Sequence, residues 1–334
     1  MSCQPNAAAS QPRRICVCLE FLSGAHRRKI HEAASLAGYE VRFFSREDDP
    51  ELLPYLQESQ ILFGHSVNLV RQAPATLAWY CCAYAGVDPY CGEPSPFANP
   101  ACLLSNSSGA YDETIGEHLV MATLMLLRQM PAYIANAHEH GWKRDLPVRS
   151  IREVRITVLG AGNIGAKFAQ KACALGCRTV VGVSRSGQAR EPFTSMYAID
   201  QLDALLPQTD VLVMALPGTP ATAGILSRER IALLPQDACV INVGRGSAID
   251  QEALADALNA GHLGGAALDV MAPEPLPAGD PLWDARNVLI TPHVSGNMTM
   301  AFTRDEVVRL FCEDLANYAA GRPLARLVDR TAGY

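Results

Sequence analysis

The sequence contains no apolar run of the roughly 18 residues that a membrane-spanning helix needs, and no stripe of basic residues. Its 28 Lys and Arg residues are outnumbered by 34 Asp and Glu residues, which gives a formal net charge of −6. Binding of nucleic acid usually requires a basic surface. We therefore expect neither a membrane nor a nucleic acid among the partners. The start of the chain also lacks the apolar segment of a secretory signal, so we predict a cytoplasmic protein.

The eleven cysteines form no disulfide or metal-binding pattern, because they are odd in number and most of them lie inside apolar runs. In a cytoplasmic chain such cysteines are expected to be small buried hydrophobic residues. Cys173 and Cys177 are spaced to share a helix face, but no complete set of four zinc ligands lies near them. The sequence therefore predicts no metal site.

The chain of 334 residues is longer than a single compact core usually spans, so we expect two domains. Residues 1 to 12 are polar and rich in Ala, Ser and Gln, and we predict that they are disordered. From residue 15 onward, apolar segments of strand length alternate with segments of helix length. This alternation predicts an α/β protein with parallel sheets and helices on both faces.

The most informative stretch, residues 155–187, joins an apolar strand to a glycine-rich turn and an alanine-rich helix. The turn has the spacing GxGxxG, and its residues are Gly160, Gly162, Asn163, Ile164 and Gly165. Glycines at this spacing form a tight turn, let the backbone approach a pyrophosphate, and let the helix pack closely on the strand. The N-terminus of the helix then binds the phosphates. A second apolar strand at 179–183 completes a βαβ unit, so we predict a dinucleotide site.

The residues that follow this second strand favour NADP(H) over NAD(H). NAD sites normally have Asp or Glu at this place, where its carboxylate binds the ribose hydroxyls. This chain has Ser184, Arg185 and Ser186 instead. A guanidinium and two hydroxyls bind the 2'-phosphate that a carboxylate would repel. NAD(H) stays possible, because Arg185 is alternatively a solvated surface charge.

Four later apolar segments, at 211–215, 239–243, 266–270 and 288–291, lead into or contain polar residues. Ligands of open α/β sheets bind beyond the carboxyl ends of the strands, so Arg245, Asp269, Glu274 and His293 are expected to converge there. An imidazole can donate a proton near neutral pH, a carboxylate can orient it, and a guanidinium can clamp a substrate carboxylate. Arg245, Glu274 and His293 also have structural alternatives, as a salt-bridge partner, a surface acid and a strand-end cap, respectively.

A different turn, residues 84–88, follows a predicted strand in the first part of the chain. The small residues Ala85 and Gly86 allow the main chain to approach a carboxylate, which makes them candidates for substrate binding. Alternatively, Gly86 simply turns the chain.

Five motifs occur in a characteristic order: VLGAGNIG (158–165), LPGTPATAG (216–224), INVGRGSAID (241–250), ALDVMAPEPLP (267–277) and LITPHVSG (289–296). Together they resemble the D-isomer-specific 2-hydroxyacid dehydrogenase family, in particular its glyoxylate/hydroxypyruvate reductases. The resemblance implies two doubly wound parallel-sheet domains. One is a Rossmann nucleotide-binding domain at 106–296, and the other is a flavodoxin-like substrate domain formed by 1–105 and 297–334.

The resemblance also implies roles for individual residues. Arg245, Glu274 and His293 match the catalytic residues, Asp269 the residue that holds the nicotinamide amide, and Ala85 with Gly86 the backbone that binds the substrate carboxylate. The same motifs imply further cofactor contacts by Leu216, Pro217, Thr222, Val243 and Gly296. Members of the family are commonly homodimers, and a long helix near 113–130 contributes to their interface.

We therefore expect an oxidoreductase that transfers a hydride between NADP(H) and a small 2-oxo acid, such as glyoxylate or hydroxypyruvate. His293 is the expected acid/base, Glu274 its partner, and Arg245 the residue that orients the substrate, alongside Ala85, Gly86 and His293 as substrate contacts. Two alternatives stay open: a nucleotide-dependent protein-binding module of the corepressor type, and a formate dehydrogenase. The latter is less expected, because formate oxidation releases no hydroxyl proton for His293 to accept.

Overall fold

The computed structural model describes residues 12–334, which fold into two compact units with one parallel β-sheet each. The five-stranded unit comprises the described chain up to Ala110 together with Met298–Tyr334. The seven-stranded unit comprises Tyr111–Asn297. The disordered start predicted for residues 1 to 12 lies outside the described residues, apart from residue 12 itself.

Twelve β-strands occur in the described chain. They are β1 (Arg14–Cys18), β2 (Glu40–Phe44), β3 (Ile61–Gly64), β4 (Trp79–Cys82), β5 (Leu103–Ser105), β6 (Arg155–Leu159), β7 (Thr179–Ser184), β8 (Ser195–Ala198), β9 (Val211–Met214), β10 (Ala238–Asn242), β11 (Leu263–Leu268) and β12 (Val288–Ile290). Most are short and rich in Val, Ile, Leu and Cys, as expected of strands that are covered on both faces.

Eleven α-helices connect and cover these strands in the described chain. They are α1 (Gly24–Leu36), α2 (Leu52–Leu56), α3 (Val67–Gln72), α4 (Asp88–Cys91), α5 (Asp112–Leu127), α6 (Met130–His138), α7 (Asn163–Ala174), α8 (Leu202–Leu205), α9 (Arg228–Leu233), α10 (Gln251–Asn259) and α11 (Ala301–Ala319). No helix of the described residues is both long and apolar enough to cross a membrane.

The five-stranded sheet has the order β2-β1-β3-β4-β5, which is the flavodoxin-like arrangement. Its core includes aromatic residues from both parts of the unit. The ring of Phe311 on α11 stacks on Phe63 of β3 at a centroid distance of 4.1 Å and on Trp79 of β4 at 5.6 Å. Burial of these rings explains why the last segment of the chain folds with the first one.

The seven-stranded sheet has the order β12-β11-β10-β9-β6-β7-β8. After β8 the chain crosses to the other side of β6 and continues outward from β9, which is the Rossmann arrangement with one additional strand. All its strand pairs are parallel, and the pairing of β6 with both β7 and β9 places β6 at the point where the strand order reverses. The predicted fold class, two doubly wound parallel-sheet domains, is confirmed.

Several predicted boundaries differ from the structure. The long helix expected up to residue 130 ends at Leu127, because Gln129 adopts a left-handed conformation (φ 54°) before α6 begins. The edge strand β8 was missed because none of its four residues is fully buried, so it lacks the apolar pattern of an inner strand.

Candidate active site

The predicted site residues of the seven-stranded unit all lie at or beyond the carboxyl ends of its strands. They are Gly160, Gly162, Asn163, Ile164 and Gly165 after β6; Ser184, Arg185 and Ser186 at and after the end of β7; Leu216, Pro217 and Thr222 after β9; Val243 and Arg245 after β10; Asp269 and Glu274 after β11; and His293 and Gly296 after β12. Because these strands are parallel neighbours, their loops share one edge of the sheet. The roles of the individual residues stay predictions.

The glycine-rich loop has the shape that a dinucleotide requires. Gly160 has a positive φ of 102°, and a Cβ at this position would lie only 2.6 Å from the carbonyl oxygen of Ala215. Gly162 is the N-cap residue of α7, and a Cβ there would meet nothing within 4 Å. The first N–H groups of α7 are therefore open to an anionic ligand, and the loop fits a pyrophosphate.

The turn after β7 is closed by a hydrogen bond in which the backbone N–H of Gly187 donates to Ser184 Oγ at 3.1 Å. Arg185 and Ser186 lie in this turn with exposed side chains. The turn contains no carboxylate between Ser184 and Gly187, so nothing in it would repel a 2'-phosphate.

Arg190, which belongs to no motif of the sequence, reaches from the same loop to the glycine-rich loop. Its Nη1 donates to the carbonyl oxygen of Ala161 at 2.9 Å, and its Nη2 donates to Asn163 Oδ1 at 3.0 Å. The sequence offers no pattern that would single out this arginine among the residues after β7. Only the folded chain brings it beside the N-terminus of α7.

The loop after β9 is held in shape by Thr222. Its hydroxyl donates to the carbonyl oxygen of Pro217 at 2.7 Å and accepts from the backbone N–H of Thr219 at 3.0 Å. The side chain of Thr222 therefore fixes the backbone that carries Leu216 and Pro217, two of the predicted cofactor contacts.

Asn242, the last residue of β10, fixes the backbone around Arg245. Its side-chain Nδ2 donates to the carbonyl oxygen of Arg245 at 2.9 Å, and its Oδ1 accepts from the N–H of Gly244 at 3.0 Å. Asn242 is 1% exposed, so these two bonds satisfy its buried amide. Arg245 Nη1 donates to the carbonyl oxygen of Gly244 at 2.7 Å.

A continuous set of contacts links the loops after β10, β11 and β12. A Cβ on Gly246 would overlap the backbone of Met271, so only glycine permits this approach. The N–H of Met271 donates to Glu274 Oε1 at 2.9 Å, and Glu274 Oε2 lies 2.8 Å from His293 Nδ1. The predicted pair of Glu274 and His293 is thus in direct contact.

Asp269 organises the loop that carries His293. It follows β11 directly and is 1% exposed, and its carboxylate accepts hydrogen bonds from Thr291 Oγ1 at 2.6 Å and from the N–H groups of Val294 and Ser295 at 2.9 Å each. Burial alone would raise the pKa of Asp269, but the hydrogen bonds from Ser295, Thr291 and Val294 hold it below its usual range. The predicted contact with a nicotinamide amide would come in addition to this anchoring role.

The surroundings of His293 suit proton transfer. The N–H of His293 donates to the carbonyl oxygen of Asp269 at 2.8 Å, and its φ of 54° turns the chain sharply after β12. About half of the side chain is exposed (51%), and Nδ1 faces Glu274. The second ring nitrogen, Nε2, is therefore the one that can exchange a proton with a ligand.

The two predicted substrate-binding residues of the five-stranded unit follow β4. Asn106 Nδ2 donates to the carbonyl oxygen of Ala85 at 2.7 Å, and the N–H of Ser107 donates to the carbonyl oxygen of Tyr84 at 3.1 Å. Two residues beyond β5 thus hold the turn that contains Ala85 and Gly86.

Within residues 12–334, no group of three or more His, Cys, Asp or Glu side chains is arranged to hold a metal ion.

Comparisons with known proteins agree with this geometry. The family model "D-isomer specific 2-hydroxyacid dehydrogenase, NAD binding domain" matches residues 120–295. Glyoxylate/hydroxypyruvate reductase A of Salmonella newport is 35% identical over 219 residues, which cover 65% of this chain and 68% of the relative. D-3-phosphoglycerate dehydrogenase of Mycobacterium tuberculosis is 31% identical over 295 residues, which cover 84% of this chain but only 56% of the relative.

Solved structures show the same similarity over nearly the whole chain. The D-isomer specific 2-hydroxyacid dehydrogenase of Xanthobacter autotrophicus Py2, in complex with NADPH and MES, has a TM-score of 0.83 and 29% identity and covers 97% of this chain and 100% of its own. The NADPH-dependent glyoxylate/hydroxypyruvate reductase of Sinorhizobium meliloti, in complex with NADP and sulfate, has a TM-score of 0.80 and 30% identity, with 96% and 100% covered. The chain therefore belongs to the D-isomer-specific 2-hydroxyacid dehydrogenases, a family of NAD(P)-dependent oxidoreductases that act on a CH–OH group.

Proposed function

We propose that the protein is an NADP(H)-preferring reductase of small 2-oxo acids, with His293 as the acid, Glu274 as its partner and Arg245 as the residue that orients the substrate. The observation that carries the proposal is the 2.8 Å contact between Glu274 Oε2 and His293 Nδ1. This pair lies at the sheet edge that also carries the glycine-rich loop, which is where a reductase needs its proton donor.

Each side chain has a separate role in the proposed reaction. A bound nicotinamide cofactor supplies the hydride that reduces C2 of the 2-oxo acid. Glu274 accepts a hydrogen bond from Nδ1 of His293 and fixes the orientation of the ring, so that Nε2 carries the proton for the carbonyl oxygen. Arg245 binds the substrate carboxylate through the planar fork of its guanidinium, which a lysine ammonium cannot reproduce.

We further propose that the five-stranded unit is the substrate domain and that its Ala85–Gly86 backbone binds the substrate carboxylate. The support is that Asn106 and Ser107 hold this turn by hydrogen bonds at 2.7 and 3.1 Å. A backbone site of this kind binds well only if its N–H groups are already fixed in direction. The entropy cost of ordering mobile groups would otherwise offset the free energy gained on binding.

The preference for NADP(H) is supported by the Ser184-Arg185-Ser186 turn, which has no carboxylate where NAD enzymes use one. Two relatives of similar fold, at 29% and 30% identity, were solved with NADPH and with NADP. We therefore assign NADP(H) as the preferred cofactor of this chain and NAD(H) as a poorer one.

The test is a spectrophotometric panel that measures oxidation of NADPH and of NADH with glyoxylate, hydroxypyruvate, pyruvate and 3-phosphohydroxypyruvate. We expect turnover with a small 2-oxo acid and a higher kcat/KM with NADPH. Binding of the cofactor without turnover on any 2-oxo acid would contradict the proposal and favour a protein-binding module of the corepressor type. Reduction of NADP or NAD by formate would favour the formate dehydrogenase alternative.

We also propose that the protein is a cytoplasmic homodimer. Large apolar side chains are exposed on α5, α6 and the segment that follows them: Met121, Met130, Ile134 and Trp142, the last of which is 86% exposed. A second copy would cover such a surface. The ten described cysteines are free thiols, as expected in a reducing compartment. Light scattering after gel filtration should give twice the mass of one chain, and Trp142→Asp should shift the equilibrium toward the monomer.

A further inference from the structure

Arg190 occupies a position that the motifs of this chain do not explain. It belongs to the loop after β7, yet its guanidinium is hydrogen-bonded to Ala161 and Asn163, two residues of the glycine-rich loop, at 2.9 and 3.0 Å. The two contacts use one donor on each terminal nitrogen, Nη1 and Nη2. Because a guanidinium has five N–H donors in one plane, three of them remain for other acceptors.

The position of the guanidinium decides which part of a dinucleotide it would meet. Asn163 is the first residue of α7, and a pyrophosphate binds at the N-terminus of this helix in a GxGxxG site. The turn that begins at Ser184, where Arg185 lies, would instead meet the 2'-phosphate of NADP(H). A bound dinucleotide would therefore bring its pyrophosphate to Arg190 and its adenosine ribose to Arg185.

We propose that Arg190 clamps the glycine-rich loop and binds the pyrophosphate of the cofactor, which makes it a specificity determinant for dinucleotides as a class and not for the 2'-phosphate. This inference rests on the proposed function, because it requires a nicotinamide dinucleotide as ligand. The guanidinium adds a positive charge to the helix terminus, and its two bonds to the loop fix its direction before the ligand arrives. The side chain is exposed, so water screens part of its charge and the effect is moderate.

Binding of three ligands separates the roles of the two arginines. NADPH carries both the pyrophosphate and the 2'-phosphate, whereas NADH and ADP-ribose carry only the pyrophosphate. We expect Arg190→Ala to raise all three Kd values by about tenfold, the usual effect of losing one charge-assisted hydrogen bond to an anion. Arg185→Ala should raise the Kd of NADPH alone. Arg190→Lys should cause a smaller loss that is again equal for the three ligands, because the charge stays and the fork is lost.

Arg178→Ala is the matched control, since Arg178 is an exposed arginine of the same unit that directly precedes the amino end of β7. It should leave all three Kd values unchanged. A loss confined to NADPH in Arg190→Ala, or no loss for any ligand, would overturn the proposal. If Arg190→Ala lowers the melting temperature of the free protein, Arg190→Lys decides by the same criteria. A wild-type protein that binds none of the three ligands would instead refute the proposed function itself.

Discussion

At the carboxyl edge of the seven-stranded sheet, buried polar side chains hydrogen-bond the loops, whereas the corresponding edge of the five-stranded sheet carries charged side chains around an open cavity. Asn242 and Asp269 are each 1% exposed and together fix the backbone around Arg245 and His293. The cavity of the five-stranded unit has a volume of about 320 Å³ and is lined by Cys18, Glu20, Ser45, Arg46, Glu47, Asp48 and His65. The loops of the first edge are held by buried hydrogen bonds, and we call it the rigid edge. The second edge, which we call the open edge, has such bonds at Asn106 and Ser107 as well as the charged cavity.

The electrostatics of the two edges differ in the same way. Burial raises the pKa of Cys18 to about 11, and the negative charges of Glu47, Asp49 and Glu20 add to this shift. Arg46, the one arginine among the cavity residues, is paired with Asp48 through two hydrogen bonds, at 2.9 and 2.5 Å. The cavity is thus predominantly negative. The glycine-rich loop, by contrast, offers helix N–H groups and the guanidinium of Arg190 to an anion. Under the proposed function, the rigid edge would hold the cofactor and the proton donor, and the open edge would contribute the substrate contact at Ala85 and Gly86.

The largest expected effect comes from His293 on the rigid edge. We choose His293→Asn, because Asn tolerates the left-handed backbone conformation of this residue (φ 54°) but cannot donate an ionisable proton. The reductase rate should fall by roughly 10² to 10⁴, the usual contribution of general acid catalysis, while the Kd of NADPH stays within about twofold.

Stopped-flow turnover and fluorescence titration of the same variant measure these two quantities. The matched control is His262→Asn, since His262 lies before the amino end of β11, away from the edge that carries the candidate site. Full activity of His293→Asn would remove His293 from the mechanism and, with it, the proposed role of the Glu274 contact.

A smaller effect is expected where two loops of the rigid edge touch. Gly246→Ala would place a Cβ inside the backbone of Met271, and the chain must shift to relieve the overlap. We expect the free energy of unfolding to fall by about 3 kcal/mol, at the upper end of overpacking effects. Activity should fall as well, because Met271 donates to Glu274.

Gly279→Ala in the same unit is the control, and urea denaturation measures the free energy of unfolding of both variants. A Cβ on Gly279 would meet nothing within 4 Å, so this control should keep its stability or gain slightly. Equal stabilities of the two variants would show that the contact between the loops is loose.

Asp269 gives a pH-dependent test of the same edge. Because its pKa lies below its usual range, the carboxylate stabilises the folded state above the unfolded pKa of about 3.9, and this contribution is lost as the pH falls through the folded pKa. Asp269→Asn can turn an N–H toward the N–H of Ser295, which leaves a buried donor unsatisfied. We expect a loss of about 2 kcal/mol at pH 7.

The difference between wild type and Asp269→Asn should narrow below about pH 4, where the carboxylate protonates in the unfolded state before it does so in the folded state. Urea denaturation at pH 7 and pH 3.5 measures it, with Asp200→Asn as the control, because Asp200 is an exposed residue of the same unit. A difference that does not depend on pH would mean that the ionised form of Asp269 contributes nothing.

The sequence predicted those features that depend on short stretches of chain. The glycine-rich loop and most strands were found, because motif spacing and apolar runs are local properties. The pairing of Glu274 with His293, which lie in different loops, was predicted with the help of the resemblance to the family. The anchoring role of Asp269 was not, because its partners follow β12 and meet it only when two loops pair in space. Arg190 was missed for the same reason, since a single arginine in a loop forms no pattern until the fold brings it to Asn163.

The smallest expected effect tests the open edge, that of the five-stranded sheet. Tyr84 directly precedes Ala85, is 43% exposed, and has its ring centroid 5.2 Å from that of His65. Burial raises the pKa of the Tyr84 phenol and the charge of Glu20 adds to the shift, so the ring stays neutral and acts through its size. Tyr84→Ala should change the ratio of kcat/KM between glyoxylate and a bulkier 2-oxo acid by about tenfold, the usual effect of reshaping an apolar contact.

The Kd of NADPH should stay the same in Tyr84→Ala, and this separates the two edges. Leu53→Ala is the control, because Leu53 is an exposed apolar residue on α2 of the same unit and its loss should alter neither quantity. If Tyr84→Ala weakens the binding of NADPH and lowers kcat/KM for glyoxylate alike, substrate selectivity and cofactor binding are coupled. The two sheets would then not have separate functions. If only the ratio of substrates changes, residue 84 acts on the choice of substrate without affecting cofactor binding.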